Sequence, residues 1–281
     1  MGKLLRVIAA VGFGFVGLVA LMLVAFQNRL LYHPKPYQPT LARVGYYGAQ
    51  RLDFETGQGR QTAFYLPPLE APTSPPERLL VCFNGNASLA LDWEDRFPES
   101  VRRSEPGTGI LLVEYPGYGF CEGAASPVSM EQNGRAAMAE LARQLGVPNE
   151  ALRKDLRVLG YSMGAAAGLL FSRNEPVRKV ALVAPFTSTI AMASRTVPWP
   201  LSELLHHRFD NVARMRDLAR RQMPPMITIF HGTADSVIPF DMGKDLAAQH
   251  PEMATLVDFP GASHDTALDL AMPKILRELL P

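Results

Sequence analysis

A serine stands at the centre of the pentapeptide Gly-Tyr-Ser-Met-Gly, residues 160–164. An apolar run precedes it and a run of small residues follows, which predicts a strand, a sharp turn and a helix. At such a turn the backbone of Ser162 is strained, and its hydroxyl points into a cleft above the helix N-terminus. Gly160 and Gly164 fit this turn, because a side chain at either position would crowd the crossing of strand and helix. The alternative is a non-catalytic serine in an ordinary strand–helix turn.

A histidine must accompany the serine if it is to act as a nucleophile, because a serine hydroxyl needs a general base near neutral pH. One known chain order places the serine first, then an acid, then the histidine. His250 and His264 both satisfy this order. His250 lies near the end of a predicted helix, 240–249, which favours a solvated helix end. His264 follows an apolar run and a Pro-Gly turn, where a loop can present it to the cleft, so it is the predicted base.

Two aspartates compete for the third position of the triad. Asp235 follows the apolar run 226–230 within a tight turn, and it is the predicted partner of His264. Its carboxylate would accept the second ring N–H of the histidine and stabilise the imidazolium. The alternative for Asp235 is a turn that caps the next helix. Asp210 is the rival acid, one predicted strand earlier.

The loop after the predicted strand 79–83 supplies the fourth part of such a site. We expect the backbone N–H of Met163, directly after the serine, and the backbone N–H of Asn86 to form an oxyanion hole. Gly85 would let the backbone approach the substrate closely. A simple Asn-Gly turn is the alternative for this loop.

Seven stretches together resemble the α/β-hydrolase superfamily and, more narrowly, its membrane-anchored Bem46-like and ABHD13-type serine hydrolases. They are residues 83–87, 112–119, 160–164, 185–188, 209–211, 231–235 and 260–264. The resemblance implies this fold, the triad and hydrolysis of carboxylic esters, including lysophospholipids, monoacylglycerols or acylated proteins as substrates. The chain departs from the pattern at Asn84, where histidine is common, and at Ala87–Ser88, where Ala-Gly is common. Both departures leave the backbone N–H groups in place.

The composition of the 281-residue chain limits the alternatives. With 47% hydrophobic residues, it can bury a full core in one domain, predicted over 46–281. A formal net charge of +1 without basic clusters argues against nucleic acid as a partner. Two cysteines do not suggest a disulfide framework. No metal-ligand spacing occurs, and no cofactor is implied.

The N-terminal residues form a separate predicted element. Residues 7–26 are twenty uncharged, mostly apolar residues preceded by Lys3 and Arg6. This length predicts a membrane anchor, residues 1–26, that spans the bilayer as a helix. The charges before it place the N-terminus inside and the catalytic domain on the extracytoplasmic side. A cleaved signal peptide is the alternative. Residues 27–45 are a predicted linker.

The remaining pattern predicts an α/β fold. A hairpin is expected over 50–66. The predicted strands and helices then alternate, which indicates a mostly parallel sheet with helices on both faces. The strands are predicted near 79–83, 110–115, 156–160, 180–184, 226–230 and 255–259, and the helices near 127–145, 162–173, 240–249 and 265–280. Residues 189–223 are either a small lid or an ordinary connecting segment.

These features predict a membrane-anchored serine hydrolase that cleaves esters or thioesters through an acyl-enzyme. The apolar anchor would place the site near lipid, which favours lipid-like acyl substrates. Two alternatives stay open. The first is a peptidase or amidase that uses the same triad. The second is a non-catalytic, membrane-tethered binding module on a hydrolase scaffold.

Overall fold

A single sheet of eight strands forms the centre of the protein in a computed structural model, which describes residues 2–37, 48–197 and 199–280. In space the strands run β1-β2-β4-β3-β5-β6-β7-β8, and those from β4 to β8 are all parallel. Their bounds are β1 Gln50–Thr56, β2 Gly59–Leu66, β3 Arg78–Phe83, β4 Thr108–Val113, β5 Leu156–Tyr161, β6 Val177–Val183, β7 Met226–Gly232 and β8 Ala254–Phe259. The predicted mostly parallel sheet is therefore confirmed.

The central strands are buried along almost their whole length, as expected where a parallel sheet is covered by its crossover helices. The predicted hairpin is β1 and β2, which pair from Gln50↔Tyr65 to Thr56↔Gly59. Because β2 also pairs antiparallel with β4, the hairpin extends the parallel sheet at one edge. The parallel strands all end at the same edge, and the loops that leave that edge carry the predicted site residues.

Nine α-helices occur in the described residues. Their bounds are α1 Gly2–Leu31, α2 Glu99–Ser104, α3 Pro127–Gln144, α4 Asn149–Leu152, α5 Met163–Asn174, α6 Thr189–Ala193, α7 Asn211–Ala219, α8 Phe240–Ala248 and α9 His264–Leu279. Short 3₁₀ helices lie at Ala90–Arg96 and Leu201–Leu204. The four predicted helices correspond to α3, α5, α8 and α9, and each predicted bound is within one residue.

Local capping explains where two of these helices begin. Ser126 precedes α3, and its hydroxyl accepts a hydrogen bond from the Ser129 N–H, with Pro127 at the first helical position. Ser263 precedes α9 in the same way and accepts from the Thr266 N–H. The second cap has a consequence for the site, since His264 becomes the first residue of a helix rather than part of a loop.

The predicted transmembrane helix over residues 7–26 is not supported. Helix α1 occupies these residues, but among the residues that the structure describes no helix is long and apolar enough to cross a bilayer. Helix α1 also continues to Leu31, beyond the predicted end of the anchor at residue 26. Its C-terminal part packs on the domain, where the buried Gln27 side chain accepts a hydrogen bond from the His206 N–H at 2.7 Å.

The segment predicted as a lid or a connection holds α6, the second 3₁₀ helix and α7. Its first part packs against the C-terminal end of α1, and α7 packs against α5. A lid over the cleft is not shown. The predicted linker falls partly outside the described residues, which omit 38–47.

Candidate active site

Ser162 occupies the turn between β5 and α5. Its φ of +55° and ψ of −118° lie in a region that side chains rarely adopt, so the turn is strained. Its N–H donates to the Val183 carbonyl of the neighbouring strand at 2.9 Å, and its own carbonyl accepts from Ala165 at 3.0 Å. These bonds fix the serine at the C-terminal edge of the sheet, directly before the N-terminus of α5.

The two glycines of the pentapeptide lie where no Cβ fits. A Cβ on Gly160 would lie 2.5 Å from the Gly164 carbonyl oxygen. A Cβ on Gly164 would lie 2.0 Å from the Phe83 carbonyl oxygen. Both obstacles are backbone atoms, which cannot turn aside as a flexible side chain does. The tight crossing of β5 and α5 therefore requires glycine at both positions.

His264 faces the serine. Its Nε2 lies 3.1 Å from Ser162 Oγ, within hydrogen-bonding distance, although the two residues are far apart in sequence. The Tyr161 ring packs against the imidazole, with a centroid separation of 5.1 Å, and the Tyr161 hydroxyl donates to Asp265 Oδ1 at 2.9 Å. The imidazole is buried by this packing and held in one orientation.

Asp235 binds the other side of the imidazole. Its Oδ2 lies 2.7 Å from His264 Nδ1, while its Oδ1 accepts from the N–H groups of Val237 and Ile238, both at 2.8 Å. Burial by itself would raise the pKa of this carboxyl. The hydrogen bonds from His231, His264 and Ile238 outweigh burial and lower its pKa below the usual range, so Asp235 is ionised.

His231 is a buried neighbour that the sequence analysis used only as the start of a motif. Its Nε2 donates to the Ile238 carbonyl at 3.0 Å and lies 3.4 Å from Asp235 Oδ2. It therefore supports the same carboxylate oxygen that faces His264. A Cβ on Gly243 would lie 2.3 Å from His231 Nδ1, so the glycine in α8 leaves room for this ring. The sequence His-Gly-Thr-Ala-Asp, in which His231 precedes Asp235 by four residues, was the signal that could have identified this contact.

The rival residues lie elsewhere. Asp210 caps α7 by accepting from the Ala213 N–H at 2.9 Å, and it is exposed. His250 follows the end of α8, where its Nδ1 lies 3.5 Å from Glu252 Oε1. The structure thus brings Ser162, Asp235 and His264 together and leaves both competitors outside this group.

The two backbone N–H groups that the sequence predicts as oxyanion donors belong to Met163 and Asn86. Among the described residues, neither the Met163 N–H nor the Asn86 N–H donates a hydrogen bond to another protein group. Met163 is the first residue of α5, where a free N–H group is normal at a helix N-terminus. Asn86 lies in the loop after β3. Both donors are therefore available to an oxyanion.

Comparisons with known proteins find relatives that cover most of the chain. No family model matches the chain. An uncharacterised protein of Mycobacterium tuberculosis is 28% identical over 256 residues, which are 89% of this chain and 86% of that protein. The α/β hydrolase domain-containing protein WAV2 of Arabidopsis thaliana is 25% identical over 285 residues, 92% of this chain and 88% of that protein.

Solved structures agree in fold. An esterase of Pyrococcus furiosus superposes with a TM-score of 0.63 at 11% identity, over 88% of this chain and 94% of that one. The protein has the α/β-hydrolase fold. The narrower resemblance to the Bem46-like and ABHD13-type hydrolases is not confirmed by these relatives.

The predicted oxyanion loop, residues 84–90, is first held by hydrogen bonds within itself. Asn84 departs from the common histidine, yet its Nδ2 donates to the Ser88 carbonyl at 2.7 Å. The Ser88 hydroxyl donates to the Gly85 carbonyl at 2.9 Å. Ala87 adopts a φ of +60° between them. The two departures from the family pattern therefore close the loop on itself.

Side chains from the segment after β4 hold the same loop from outside. The Tyr115 hydroxyl donates to the Asn84 carbonyl at 2.6 Å, and the Tyr118 hydroxyl donates to Asn86 Oδ1 at 2.8 Å. Glu114 Oε2 accepts from the Ala90 N–H at 3.1 Å. The sequence analysis found this segment only as a family resemblance and did not predict these contacts.

Glu114 is fully buried, and burial raises its pKa to about 7. Hydrogen bonds from the Tyr37 hydroxyl and from backbone N–H groups oppose this effect but do not cancel it. Its Oε1 has no hydrogen-bond partner among the described residues. An ionised Glu114 is therefore incompletely stabilised, and the carboxyl takes up a proton more readily than an exposed one.

The residues after α1 also reach this loop. Asn86 Nδ2 donates to the Leu31 carbonyl at 2.8 Å, and Asn86 Oδ1 accepts from the His33 N–H at 3.0 Å. Tyr32 lies between, with its hydroxyl 3.1 Å from His207 Nδ1. The end of α1 and the residues after it therefore contact the predicted oxyanion loop. Within the described ranges, no cluster of three His, Cys, Asp or Glu side chains could hold a metal ion.

Proposed function

We propose that this protein is a serine hydrolase that cleaves carboxylic esters or thioesters through an acyl-enzyme. The observation that carries the proposal is the position of His264 between Ser162 Oγ at 3.1 Å and Asp235 Oδ2 at 2.7 Å. A serine, a base and an orienting carboxylate at these distances are the parts that acyl transfer requires.

In the proposed first step, His264 Nε2 takes the hydroxyl proton while Ser162 Oγ attacks the ester carbonyl carbon. The negative charge that develops on the carbonyl oxygen is stabilised by the Met163 and Asn86 N–H groups. Asp235 stabilises the imidazolium, and its low pKa keeps it charged throughout. The imidazolium then gives its proton to the leaving alcohol or thiol as the C–O or C–S bond breaks.

In the second step, His264 removes a proton from water, and the resulting hydroxide attacks the acyl-enzyme. The same N–H groups hold the second oxyanion. The carboxylic acid leaves as Ser162 takes its proton back from His264. The ester class is favoured by the esterase of Pyrococcus furiosus, a protein of the same fold.

The test is labelling of the full-length protein with a fluorophosphonate probe, which reacts with an activated serine. We expect labelling of the wild type and none of Ser162→Ala. The matched control is Ser172→Ala, because Ser172 lies on the same helix and its buried hydroxyl has no hydrogen-bond partner in the described residues. Equal labelling of Ser162→Ala would refute the proposal, and no labelling of folded wild type would favour a non-catalytic binding module.

The reaction class is tested with an ester, a thioester and an anilide that share the acetyl group and have leaving groups of one series. We expect turnover of the ester and thioester, and a loss of roughly 10⁴-fold or more in Ser162→Ala. Faster hydrolysis of the anilide than of the ester would assign the protein to the amidases instead.

We also propose that the catalytic domain lies on the extracytoplasmic side of a membrane. This proposal rests on the sequence alone, in which Lys3 and Arg6 precede the apolar residues 7–26, and not on a spanning helix among the described residues. Protease added outside intact cells or spheroplasts should then digest the domain, while a cytoplasmic marker stays protected. Digestion only after lysis would contradict this location.

A further inference from the structure

A groove runs between the C-terminal part of α1 and the segment from α6 to the second 3₁₀ helix. Its volume is about 300 Å³. Leu23, Leu30 and Leu31 line it from α1. Met192, Val197 and Leu201 line it from the other side. None of its lining residues is charged. The groove therefore offers an apolar surface to whatever enters it.

Three of the four polar residues that line the groove, Gln27, Thr189 and Thr196, already form hydrogen bonds within the protein. Gln27 donates to the Val24 carbonyl at 3.1 Å and accepts from the His206 N–H at 2.7 Å. The Thr189 hydroxyl donates to the His207 carbonyl at 3.1 Å. A peptide or sugar would find few free partners here, and its own polar groups would lose their hydrogen bonds to water. A hydrocarbon chain has no such groups to lose.

Each wall of the groove is linked to a segment of the candidate active site. Leu31 lines the groove, and its carbonyl accepts from Asn86, whose backbone N–H is a proposed oxyanion donor. On the other wall, Thr189 begins α6, only a few residues beyond β6. The last residue of β6, Val183, accepts the N–H of Ser162. The wall of the groove formed by α1 therefore contacts the predicted oxyanion loop, and the opposite wall follows in the chain from the strand that binds the Ser162 backbone.

We propose that this groove binds the acyl chain of the substrate, so that the natural substrate is an ester or thioester of a medium- or long-chain fatty acid. The inference rests on the proposed function, since it describes the acyl part of the same reaction. The volume accommodates roughly ten methylene groups, if each occupies about the 30 Å³ that a water molecule takes in the liquid.

The first experiment measures kcat/KM of the full-length protein for p-nitrophenyl acetate, hexanoate, decanoate and dodecanoate. We expect the decanoate-to-acetate ratio to exceed 10. In Ala193→Trp, whose indole would fill the groove, this ratio should fall at least tenfold. The matched control is Ala139→Trp, because Ala139 lies exposed on α3, away from the groove, and its ratio should equal the wild-type ratio. An unchanged ratio in Ala193→Trp would overturn the inference.

The second experiment measures binding without turnover. The Ser162→Ala protein is titrated with a fluorescent dodecanoate, and we expect saturable binding that Ala193→Trp weakens at least tenfold. If the proposed function fails, so that even the acetate is not hydrolysed, this binding still decides whether the groove takes an acyl chain. If Ala193→Trp does not fold, Ala193→Leu replaces it in both experiments. Equal binding by Ser162→Ala with and without Ala193→Trp, or no binding by either protein, would refute the assignment of the groove as the acyl site.

Discussion

The two sides of Ser162 are built in different ways. On one side, Asp235 lies on a short turn after β7 and His264 begins α9 shortly after β8, and their hydrogen bonds join neighbouring segments of the sheet edge. On the other side, the oxyanion loop is held by Tyr115, by Tyr118 and by the end of α1 with the residues that follow it. The comparison teaches that the proposed proton-transfer groups follow directly from two neighbouring strands, whereas the proposed oxyanion donors depend on contacts with distant parts of the chain.

The largest expected effect tests the histidine side. Asp235→Asn should lower kcat by about 10⁴-fold, because an amide cannot stabilise the imidazolium and favours the wrong tautomer of His264. The measurement is steady-state hydrolysis of a short p-nitrophenyl ester. The rival acid provides the matched control. Asp210→Asn keeps an oxygen that can cap α7, so its kcat should change less than about twofold. A greater loss in Asp210→Asn than in Asp235→Asn would reverse the assignment.

The next effect tests the contact between the two sides. Gly164→Ala places a Cβ 2.0 Å from the Phe83 carbonyl and 2.4 Å from that of Asn84, so the start of the oxyanion loop must move. We expect kcat/KM to fall about 100-fold or more, since a shift of about 1 Å in a site has this effect. Gly57→Ala is the control, because nothing lies within 4 Å of its Cβ. Near-wild-type activity of folded Gly164→Ala would mean that the loop tolerates this displacement.

Smaller effects are expected on the oxyanion side. Tyr115→Phe and Tyr118→Phe each remove one hydrogen bond to the loop, and each should lower kcat by roughly 2- to 10-fold with little change in KM. Tyr65→Phe is the matched control, because the buried Tyr65 hydroxyl has no partner within the described chain. If all three variants have the same kcat, the loop does not need these contacts.

The smallest effect on the hydrolysis rate is expected at Glu114. The main effect there is on the free energy of unfolding. Its folded pKa of about 7 lies above the ordinary 4.5, so the stabilisation by its bound proton is complete below about pH 4.5 and is lost as the pH rises through 7. The neutral side chain in Glu114→Gln does not titrate. Relative to this variant, the wild type should therefore lose up to about 3 kcal/mol between pH 4.5 and pH 8.

Chemical denaturation of both proteins at pH 5 and pH 8 measures this difference. The free energy of unfolding of the wild type relative to Glu114→Gln should be lower at pH 8 than at pH 5. If the relative stability is the same at both pH values, the pKa of Glu114 is not raised in the folded protein, and its carboxylate has a complete set of partners.

The same comparison shows which features could be predicted from the sequence and which could not. The strands and helices of the sheet were predictable because each is a separate run of apolar residues, bounded by turns. The tight turn at Ser162 was predictable from its pentapeptide, because the short distances at this turn require glycine on both sides of the serine. The helix cap at Ser263 moved His264 from a loop onto α9, which the apolar pattern could not indicate because a cap depends on the residues that follow it.

The sequence by itself determined the parallel sheet and the identity of the residues that come together at its edge, since hydrophobic periodicity and turn residues act over short distances. Only the tertiary structure decided how Tyr115 and Tyr118 hold the oxyanion loop, and where the end of α1 lies. These contacts join residues that are distant in sequence. Their partners are selected by packing across the whole domain, and no local pattern specifies them.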